Sequence, residues 1–319
     1  KSDVVVVEAD EYRNHFLELN PSVAVITNVD YDHVDAFPTK ELYIESFEKF
    51  IAKIKPADLL ILCAKDSNTK KLLSVRDDLK KIVFGFSEDE IETQGDAKKY
   101  LINKLENNSS GYEQKFLLTV SGENAGEFVA PFPGEHFLLD VAAALAAISP
   151  FNLDNEVVRE AIRSFKGTWR RFELVGSFDG VPVISDYAHH PTELEALLNG
   201  TRKAYKDKKI TIVFQPHHGA RTAAFGKEFV TALSGADDII VVDLYGVVGR
   251  ENGNEEIKVS KWVDELRAMG NKAEFASDLE VAENILRDRK NKMEIILCVG
   301  AGNIDQLARK IVNYSELSK

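Results

Sequence analysis

The stretch VPVISDYAHHPTELEALL at Val181–Leu198 guides the interpretation of the whole chain. Its apolar start predicts a short buried strand, which ends abruptly in a polar loop from Ser185 to His190. Pro191 suits the first turn of a helix, because its missing N–H would have no partner there. Open α/β sheets bind ligands beyond the carboxyl ends of such strands. The same residues also fit an ordinary strand-to-helix connection that carries two surface histidines.

A second stretch, KITIVFQPHHGART at Lys209–Thr222, repeats this pattern. Four of the seven histidines form two pairs, His189-His190 and His217-His218, each just past the end of a predicted parallel strand. The carboxyl ends of parallel strands lie at one edge of a sheet, so we expect both loops to face one crevice.

Strands and helices alternate regularly through the C-terminal half. The apolar periodicity predicts strands at 181–184, 209–214, 237–243, 272–275 and 294–299, and helices at 191–205, 222–234, 259–269, 279–288 and 303–313. This alternation predicts a doubly wound, Rossmann-like α/β domain with right-handed crossovers. Its last strand-to-helix turn, Gly300-Ala301-Gly302-Asn303, is a glycine loop whose backbone N–H groups could approach an anion.

The N-terminal half has a different pattern, which predicts a mixed sheet with an antiparallel part. Apolar runs predict buried strands at Val4–Glu8, Ser22–Asn28, Asp58–Ala64 and Val83–Phe86, and a hairpin pairs Lys115–Val120 with Glu127–Ala130. Helical spacing is found at Glu41–Lys55, Gly134–Ile148 and Asn155–Phe165. We place a domain boundary after Gly167, which predicts domains at 1–167 and 168–319. Because the chain starts almost directly with an apparent central strand, we expect it to be truncated upstream.

Acidic side chains and an imidazole follow two of the predicted N-terminal strands. Glu8 ends the first strand, and the loop after Asn28 contains Asp30, Asp32 and His33. Carboxylate clusters at strand ends are plausible ligands for Mg²⁺, directly or through water. A solvated acidic loop is the alternative.

Composition excludes several classes of protein. The chain has 319 residues and a net charge of −12, which argues against general electrostatic binding to nucleic acid or to an anionic membrane. No apolar run is long enough for membrane insertion, and no signal peptide is recognisable. The two cysteines lie in apolar runs, which fits buried reduced thiols and a cytoplasmic location.

Taken together, these motifs resemble those of the Mur ligases of peptidoglycan synthesis, and the resemblance extends over nearly the whole chain. The matching strings are Glu8-Ala9-Asp10-Glu11-Tyr12, Thr27-Asn28 with Asp32-His33, Arg170-Arg171-Phe172, Asp186-Tyr187-Ala188-His189-His190-Pro191-Thr192-Glu193, Phe214-Gln215-Pro216-His217 with Arg221-Thr222, and Gly300-Ala301-Gly302. The strings that start at Asp186 and Phe214 are highly specific in this order and spacing, whereas the others are weak individually.

The resemblance implies a fold: a partial Mur-ligase central ATPase domain followed by a Rossmann-like C-terminal ligand-binding domain. It also implies a reaction, in which ATP phosphorylates the lactyl carboxylate of UDP-N-acetylmuramate and the amine of L-alanine attacks the acyl phosphate. Such chemistry needs positioned phosphates, Mg²⁺ and cations more than covalent help from the protein.

Roles for individual residues follow from the same resemblance. Glu8 and His33 would hold Mg²⁺, and Glu8 and Arg171 would serve catalysis. The resemblance assigns ATP binding to Arg171, Asp186 and His136, and substrate binding to Tyr187, His189, His217 and Arg221. The attacking amine must lose a proton, and His189 is our candidate base.

The chain departs from the family pattern at several positions. The glycine-rich phosphate loop with its lysine, and the UDP-binding first domain, are not found in the sequence. Phe137 and Asp140 stand where asparagines that contact adenine are usual, and Ser185 stands where an aspartate is usual. We therefore predict that this chain alone has no ligase activity, and that a missing N-terminal half supplies the phosphate loop.

Three alternatives remain open at the level of sequence. A murein-tripeptide recycling ligase shares most of the motifs, although Arg13-Asn14-His15-Phe16-Leu17 favours the alanine-adding type. A zinc site could use the four paired histidines, but adjacent histidines diverge on an extended loop. The chain could also be a non-catalytic or split subunit of such a ligase.

Overall fold

The computed structural model describes residues 4–89, 96–105, 112–246 and 258–317, and the chain forms two compact units. Unit 1 comprises residues 1–109, 113–131 and 136–165. Unit 2 comprises residues 110–112, 132–135 and 166–319. The boundary that we placed after Gly167 stays a prediction.

Unit 1 contains a mixed sheet whose strands are ordered as they occur in the chain. They are β1 (Val23–Ile26), β2 (Leu59–Cys63), β3 (Lys80–Phe86), β4 (Lys98–Lys104), β5 (Gln114–Val120) and β6 (Glu123–Ala130). Strands β1 to β4 pair in parallel, whereas β4, β5 and β6 pair antiparallel. The predicted mixed sheet with an antiparallel part is therefore confirmed.

Helices cover both faces of this sheet because its central strands are apolar on both sides. The helices are α1 (Lys40–Ala52), α2 (Ser67–Leu72), α3 (Glu135–Ile148) and α4 (Asn155–Ser164), with a 3₁₀ helix at Tyr12–Glu18. Side chains alternate across a strand, so Leu60 of β2 joins the core beside α1 and Ile61 joins the core beside α3. Both side chains are fully buried.

The predicted strand at Val4–Glu8 is wrong. This segment has no strand structure, and Val4, Val5, Val6 and Val7 are 45%, 83%, 92% and 57% exposed. Valine favours a pleated, half-buried surface, but the ladder of a strand exists only when a neighbouring strand supplies hydrogen bonds. Among the described residues, β1 pairs only with β2 and makes no ladder with the valine run.

Unit 2 contains a second six-stranded sheet, in the order β11-β10-β9-β12-β8-β7. Its strands are β7 (Glu173–Phe178), β8 (Val181–Asp186), β9 (Ile210–Phe214), β10 (Asp238–Val242), β11 (Lys272–Ala276) and β12 (Ile295–Val299). All neighbours pair in parallel except β7, which runs antiparallel at one edge. The predicted Rossmann-like architecture is confirmed.

Helices lie on both faces of the second sheet. They are α5 (Pro191–Ala204), α6 (Gly219–Ala224), α7 (Gly226–Leu233), α8 (Ser260–Ala268), α9 (Leu279–Arg289) and α10 (Ile304–Leu317). The helix predicted at 222–234 is instead α6 and α7, separated at Phe225. Gly226 follows the break, and glycine is a poor helix former because ordering it costs the most backbone entropy. No helix in the described part of the chain has the length and apolar character needed to cross a membrane.

The strand order brings three loops of unit 2 together. Strand β12 lies between β8 and β9, so its terminal glycine turn has the loops after β8 and β9 on either side. The Gly300 N–H donates to the Asp186 carbonyl at 3.1 Å, and the Gln215 N–H donates to the Val299 carbonyl at 3.0 Å. The histidine-containing loops therefore share one edge of the sheet, as the sequence predicted.

Candidate functional site

Asp186, at the end of β8, is buried and organises the backbone around it. One carboxylate oxygen accepts the Phe172 N–H at 2.7 Å, and the other accepts the Ala188 N–H at 2.8 Å. Burial raises the pKa of this carboxyl to about 6, although both backbone donors oppose the shift. The side chain thus joins the turn before β7 to the loop after β8.

Arg170 is buried beside this carboxylate, in a turn with left-handed backbone. Its guanidinium donates to the Gly300 carbonyl and lies 4.7 Å from the centroid of the Tyr187 ring. Burial lowers the pKa of Arg170, and the charge of Asp305 opposes that shift most strongly among its neighbours. Arg170 therefore connects the turn before β7 to the glycine turn after β12.

Arg171 points a second guanidinium toward the same loop but remains exposed. Its guanidinium carbon lies 5.5 Å from the Tyr187 ring, and Nη1 lies 3.8 Å from Glu193 Oε1. An exposed guanidinium whose described ion pair is this long keeps donors available for an anion. The guanidiniums of Arg170 and Arg171 therefore both lie close to the ring of Tyr187.

Helix α5 begins directly after the first histidine pair. Pro191 occupies its first turn and His190 is its N-cap. Glu193 Oε2 reaches back to accept the His189 N–H at 2.8 Å and the His190 N–H at 3.1 Å, which completes a capping box. This arrangement fixes the loop that carries Tyr187 and His189.

Glu193 also sets the charge around His189. The His189 Nδ1 atom lies 2.9 Å from the Tyr187 carbonyl oxygen and 3.4 Å from Glu193 Oε2. Burial by itself would raise the pKa of Glu193, but His189, its backbone donors and Arg171 together lower it. Glu193 is therefore held as a carboxylate between an imidazole and a guanidinium.

The second histidine pair lies in the loop between β9 and α6. His217 stacks on Tyr245 at 5.8 Å between ring centroids and with an interplanar angle of 18°. The Tyr245 N–H donates to the Pro216 carbonyl at 2.9 Å, so the backbone also ties the two segments together. Arg221, in α6, is only 6% exposed.

The glycine turn after β12 is packed too tightly for a side chain. A Cβ on Gly300 would lie 2.4 Å from the Gln215 carbonyl oxygen, and one on Gly302 would lie 2.7 Å from the Tyr245 ring. Gly300 also has φ +141°, which L residues rarely adopt. These glycines are therefore required for close packing of the three loops.

The predicted magnesium ligands of unit 1 are in different environments. Glu8 is exposed on the segment without secondary structure, whereas His33 is partly buried. His33 Nε2 lies 3.0 Å from Glu11 Oε1, and the Tyr12 ring lies 5.1 Å from the imidazole. The Tyr12 hydroxyl donates to Asp35 at 2.9 Å. The structure thus brings His33 close to Glu11, and the pairing of Glu8 with His33 stays a prediction.

His136 lies at the N-terminal end of α3 in unit 1. Its ring is 4.3 Å from that of Phe137, the residue that departs from the family pattern. Within residues 4–89, 96–105, 112–246 and 258–317, no group of three or more His, Cys, Asp or Glu side chains is arranged to hold a metal ion. The described residues therefore give no support to the zinc alternative.

Several residues that shape these loops were not identified as site residues from the sequence. Glu11 and Glu193 were noted only as members of longer motifs. Tyr245 follows β10 without a recognisable motif. Helical spacing offers one usable signal, since Asp305 and Arg309 are four residues apart and therefore share a face of α10.

Unit 2 thus presents two guanidiniums, a tyrosine and two imidazoles beside a glycine turn, which suits a phosphorylated or carboxylate-bearing ligand. Comparison with known proteins agrees with this chemistry. Residues 1–148 match the Mur ligase middle domain, and residues 170–302 match the Mur ligase glutamate ligase domain. The chain belongs to the Mur ligase family.

Two curated relatives of the chain carry the same name. UDP-N-acetylmuramate–L-alanine ligase of Saccharopolyspora erythraea is 35% identical over 97% of this chain and 61% of its own length. The protein of the same name from Sulfurihydrogenibium sp. is 34% identical over 98% of the chain and 65% of its own length. The chain therefore spans less than two thirds of the length of these relatives.

Solved structures show the same fold. The UDP-N-acetylmuramate–alanine ligase of Thermotoga maritima is 27% identical, with a TM-score of 0.74, over 98% of this chain and 63% of its own. A murein peptide ligase from Psychrobacter arcticus has a TM-score of 0.61 at 16% identity, over 94% of this chain and 58% of its own, and supports the fold alone. The predicted family and fold class are confirmed.

Proposed function

We propose that the protein containing this chain joins L-alanine to UDP-N-acetylmuramate at the expense of ATP, in the cytoplasm. The main support is the 35% identity to a UDP-N-acetylmuramate–L-alanine ligase over 97% of the chain. The cationic and imidazole side chains at one edge of the unit 2 sheet provide chemistry that fits an anionic substrate.

Arg171 is the proposed contact to the transferring phosphate. Transfer of a phosphoryl group depends mainly on positioning and on cations that stabilise the developing charge. Arg171 is exposed, and its nearest carboxylate contact, to Glu193, is 3.8 Å long. Its guanidinium can therefore exchange this weak contact for a bidentate contact with phosphate.

His189 is the proposed base for the attacking amine. A carbonyl oxygen can only accept a hydrogen bond, so the 2.9 Å contact to the Tyr187 carbonyl requires a proton on Nδ1. In the neutral imidazole, Nε2 then carries the lone pair that can take a proton. Glu193 stabilises the resulting imidazolium, because its carboxylate lies 3.4 Å from Nδ1.

Asp186 is proposed to act at the ATP ribose, mainly through the position that it gives to the surrounding loop. Each of its oxygens already accepts a backbone N–H, and the side chain is 7% exposed. A carboxylate oxygen has further lone pairs, so an additional hydroxyl donor is chemically possible. His136 is proposed to contact adenine, and Tyr187, His217 and Arg221 are proposed to contact the substrate.

Magnesium is proposed to use Glu8 and His33. Magnesium prefers six oxygen ligands and usually keeps waters and phosphate oxygens, so one or two carboxylates from a protein suffice. Glu8 is an exposed carboxylate, and Glu11, 3.0 Å from His33, offers a second one. The donor set therefore fits a magnesium ion held mainly by nucleotide phosphate, which would neutralise charge on that phosphate.

The test is phosphate release by the natural full-length protein with ATP, Mg²⁺ and UDP-N-acetylmuramate. We expect release to require L-alanine, and we expect Arg171→Gln to raise the KM for ATP by about tenfold or more through loss of a charge-assisted contact. A murein tripeptide in place of L-alanine separates the recycling ligase from the alanine-adding type. The isolated 319-residue chain should show no turnover. Full-length protein that releases phosphate with neither acceptor would contradict the proposal.

A further inference from the structure

The turn that carries Arg171 has an unfavourable backbone. Arg170 has φ +58° and Phe172 has φ +47°, so residues on both sides of Arg171 are left-handed. Each such residue costs about 1 kcal/mol or more, and the conformation persists only when its surroundings hold it. Contacts to this turn therefore determine where Arg171 lies.

Two contacts come from the last residue of β8 and from the residue after it. The Phe172 N–H donates to Asp186 at 2.7 Å, and the Tyr187 N–H donates to the Arg170 carbonyl at 2.7 Å. The third contact comes from the first residue of β7, because Glu173 Oε2 accepts the Arg170 N–H at 2.9 Å. Glu173 thus holds the turn through the N–H of Arg170.

Helix α10 holds Glu173 in place. Arg309 Nη2 donates to both carboxylate oxygens of Glu173 at 3.0 Å, and Arg309 Nε donates to Asp305 at 2.9 Å. Asp305 is buried, and its other oxygen accepts the Ser185 hydroxyl at 2.7 Å. The hydrogen bonds to Asp305 and Glu173 raise the pKa of Arg309, so its charge is secure. One guanidinium therefore connects a buried carboxylate to the carboxylate that closes the turn.

We propose that Arg309 is a positioning residue that, through Glu173 and the Arg170 N–H, sets the place from which Arg171 reaches nucleotide phosphate. This inference rests on the proposed role of Arg171. Without Arg309, the partly exposed Glu173 would gain more by turning toward water than by capping a strained turn. The turn would then relax, and Arg171 would sample positions away from the phosphate.

A neighbouring arginine provides the matched control. Arg287 of α9 lies in the same unit, and its Nη2 is 2.6 Å from Glu283 Oε1. Like the contact of Arg309 with Asp305, this pair is an i, i+4 ion pair to a carboxylate that is mostly buried. Its hydrogen bonds to Glu283 stay within α9, and its guanidinium carbon lies 5.8 Å from the ring of Phe178, at the end of β7 remote from Glu173. Arg287→Gln should therefore reproduce the loss of an ion pair without the loss of positioning.

The experiment compares Arg309→Gln, Arg309→Lys and Arg287→Gln in the natural full-length protein. We expect Arg309→Gln to raise the KM for ATP by about tenfold, with the KM for alanine within about twofold, because only phosphate contact is misplaced. Millimolar guanidinium should restore part of the activity. Arg309→Lys retains the charge without the planar fork, so its defect should be intermediate. Arg287→Gln should leave every constant within about twofold.

Amide hydrogen exchange tests the inference independently of activity. In Arg309→Gln, the Arg170 amide should exchange about tenfold faster than in the parent chain, because its acceptor Glu173 is released. The inference is wrong if the Arg170 amide exchanges at the same rate in Arg309→Gln as in Arg287→Gln. It is also wrong if Arg309→Gln changes the KM for ATP and the KM for alanine by the same factor. If Arg171→Gln itself leaves ATP use unchanged, the proposed role of Arg171 fails instead. If Arg171→Gln raises the KM for ATP but Arg309→Gln does not, only the proposed role of Arg309 is refuted.

Discussion

The region from Trp169 to Glu193 in unit 2 and the region from Ala9 to Asp35 in unit 1 contain similar residue types but hold them differently. In unit 2, carboxylates such as Asp186 accept backbone N–H groups from separate segments and are buried. In unit 1, His15 and Asp10 pair at 2.8 Å through side chains that are both more than half exposed.

This difference indicates which of the two regions has its geometry fixed before a ligand binds. A buried carboxylate that caps backbone donors fixes the path of the chain, because leaving those donors unpaired would cost about 1–3 kcal/mol each. An exposed ion pair contributes about 0–1 kcal/mol and is easily rearranged. We therefore infer that unit 2 is preorganised, whereas the acidic loops of unit 1 can adjust to a metal ion and its phosphate.

The largest expected effect is that of Gly300→Ala in unit 2, compared with Gly122→Ala in unit 1. Both glycines have positive φ, but a Cβ at Gly300 would lie 2.4 Å from a carbonyl oxygen and a Cβ at Gly122 meets nothing within 4 Å. Backbone strain and overpacking together should lower the free energy of unfolding by about 4 kcal/mol at Gly300. Backbone strain alone should lower it by about 1 kcal/mol at Gly122. Urea unfolding measures both, and equal losses would remove the claim that the glycine turn is tightly packed.

The second prediction concerns the pH dependence of Asp186. Its pKa is raised from 3.8 to about 6 in the folded chain, chiefly by burial. The group therefore contributes stability that is fully present below pH 3.8 and is lost as the pH rises through about 6. The difference in unfolding free energy between the parent chain and Asp186→Asn should fall by about 3 kcal/mol between pH 4 and pH 7.

Asp10 in unit 1 should behave in the opposite sense. Burial by itself would raise its pKa, but hydrogen bonds from His15 and the Tyr12 N–H hold the pKa below 3.8. Its contribution is therefore present above pH 3.8 and is lost as the pH falls through the lowered pKa. The same comparison with Asp10→Asn checks this sign. If the differences for Asp186 and Asp10 have the same slope, the contrast between the two regions is wrong.

The smallest expected effect is that of Val6→Ala, compared with Val183→Ala. Val6 is 92% exposed in unit 1, whereas Val183 in β8 is fully buried. Truncating the buried side chain should lower the free energy of unfolding by about 2 kcal/mol, because it removes packed methyl groups and leaves a cavity. Truncating the exposed one should change it by less than about 0.5 kcal/mol. A large loss at Val6 would mean that the valine run packs against the unit after all.

Much of the fold follows from local pattern. The strands and helices predicted between 181 and 313 agree with the structure to within a few residues, apart from the break at Phe225 and the later end of α10. Long apolar runs and helical periodicity are reliable because burial of one face determines them directly. Strand β4 was not predicted from the sequence. Its residues KKYLINK start with two charged lysines and show only a weak alternation of polar and apolar side chains.

The site residues were only partly predictable. The motifs marked Arg171, Asp186, Tyr187, His189, His217 and Arg221, and the adjacency of β8, β12 and β9 brings their loops to one edge of the sheet. The pairing of Glu173 with Arg309 could not be predicted from the sequence. The two residues are 136 positions apart in the chain and meet only because α10 packs beside β7.

The sequence by itself determined the family, the alternation of strands and helices in unit 2 and the identity of its reactive side chains, because motif order and hydrophobic period are properties of the linear chain. Only the tertiary structure decided that Val4–Val7 is exposed, that His33 lies beside Glu11 and that Arg309 supports the turn at Arg170. Strand pairing and side-chain contacts between distant segments depend on which surfaces meet, and no local pattern encodes that.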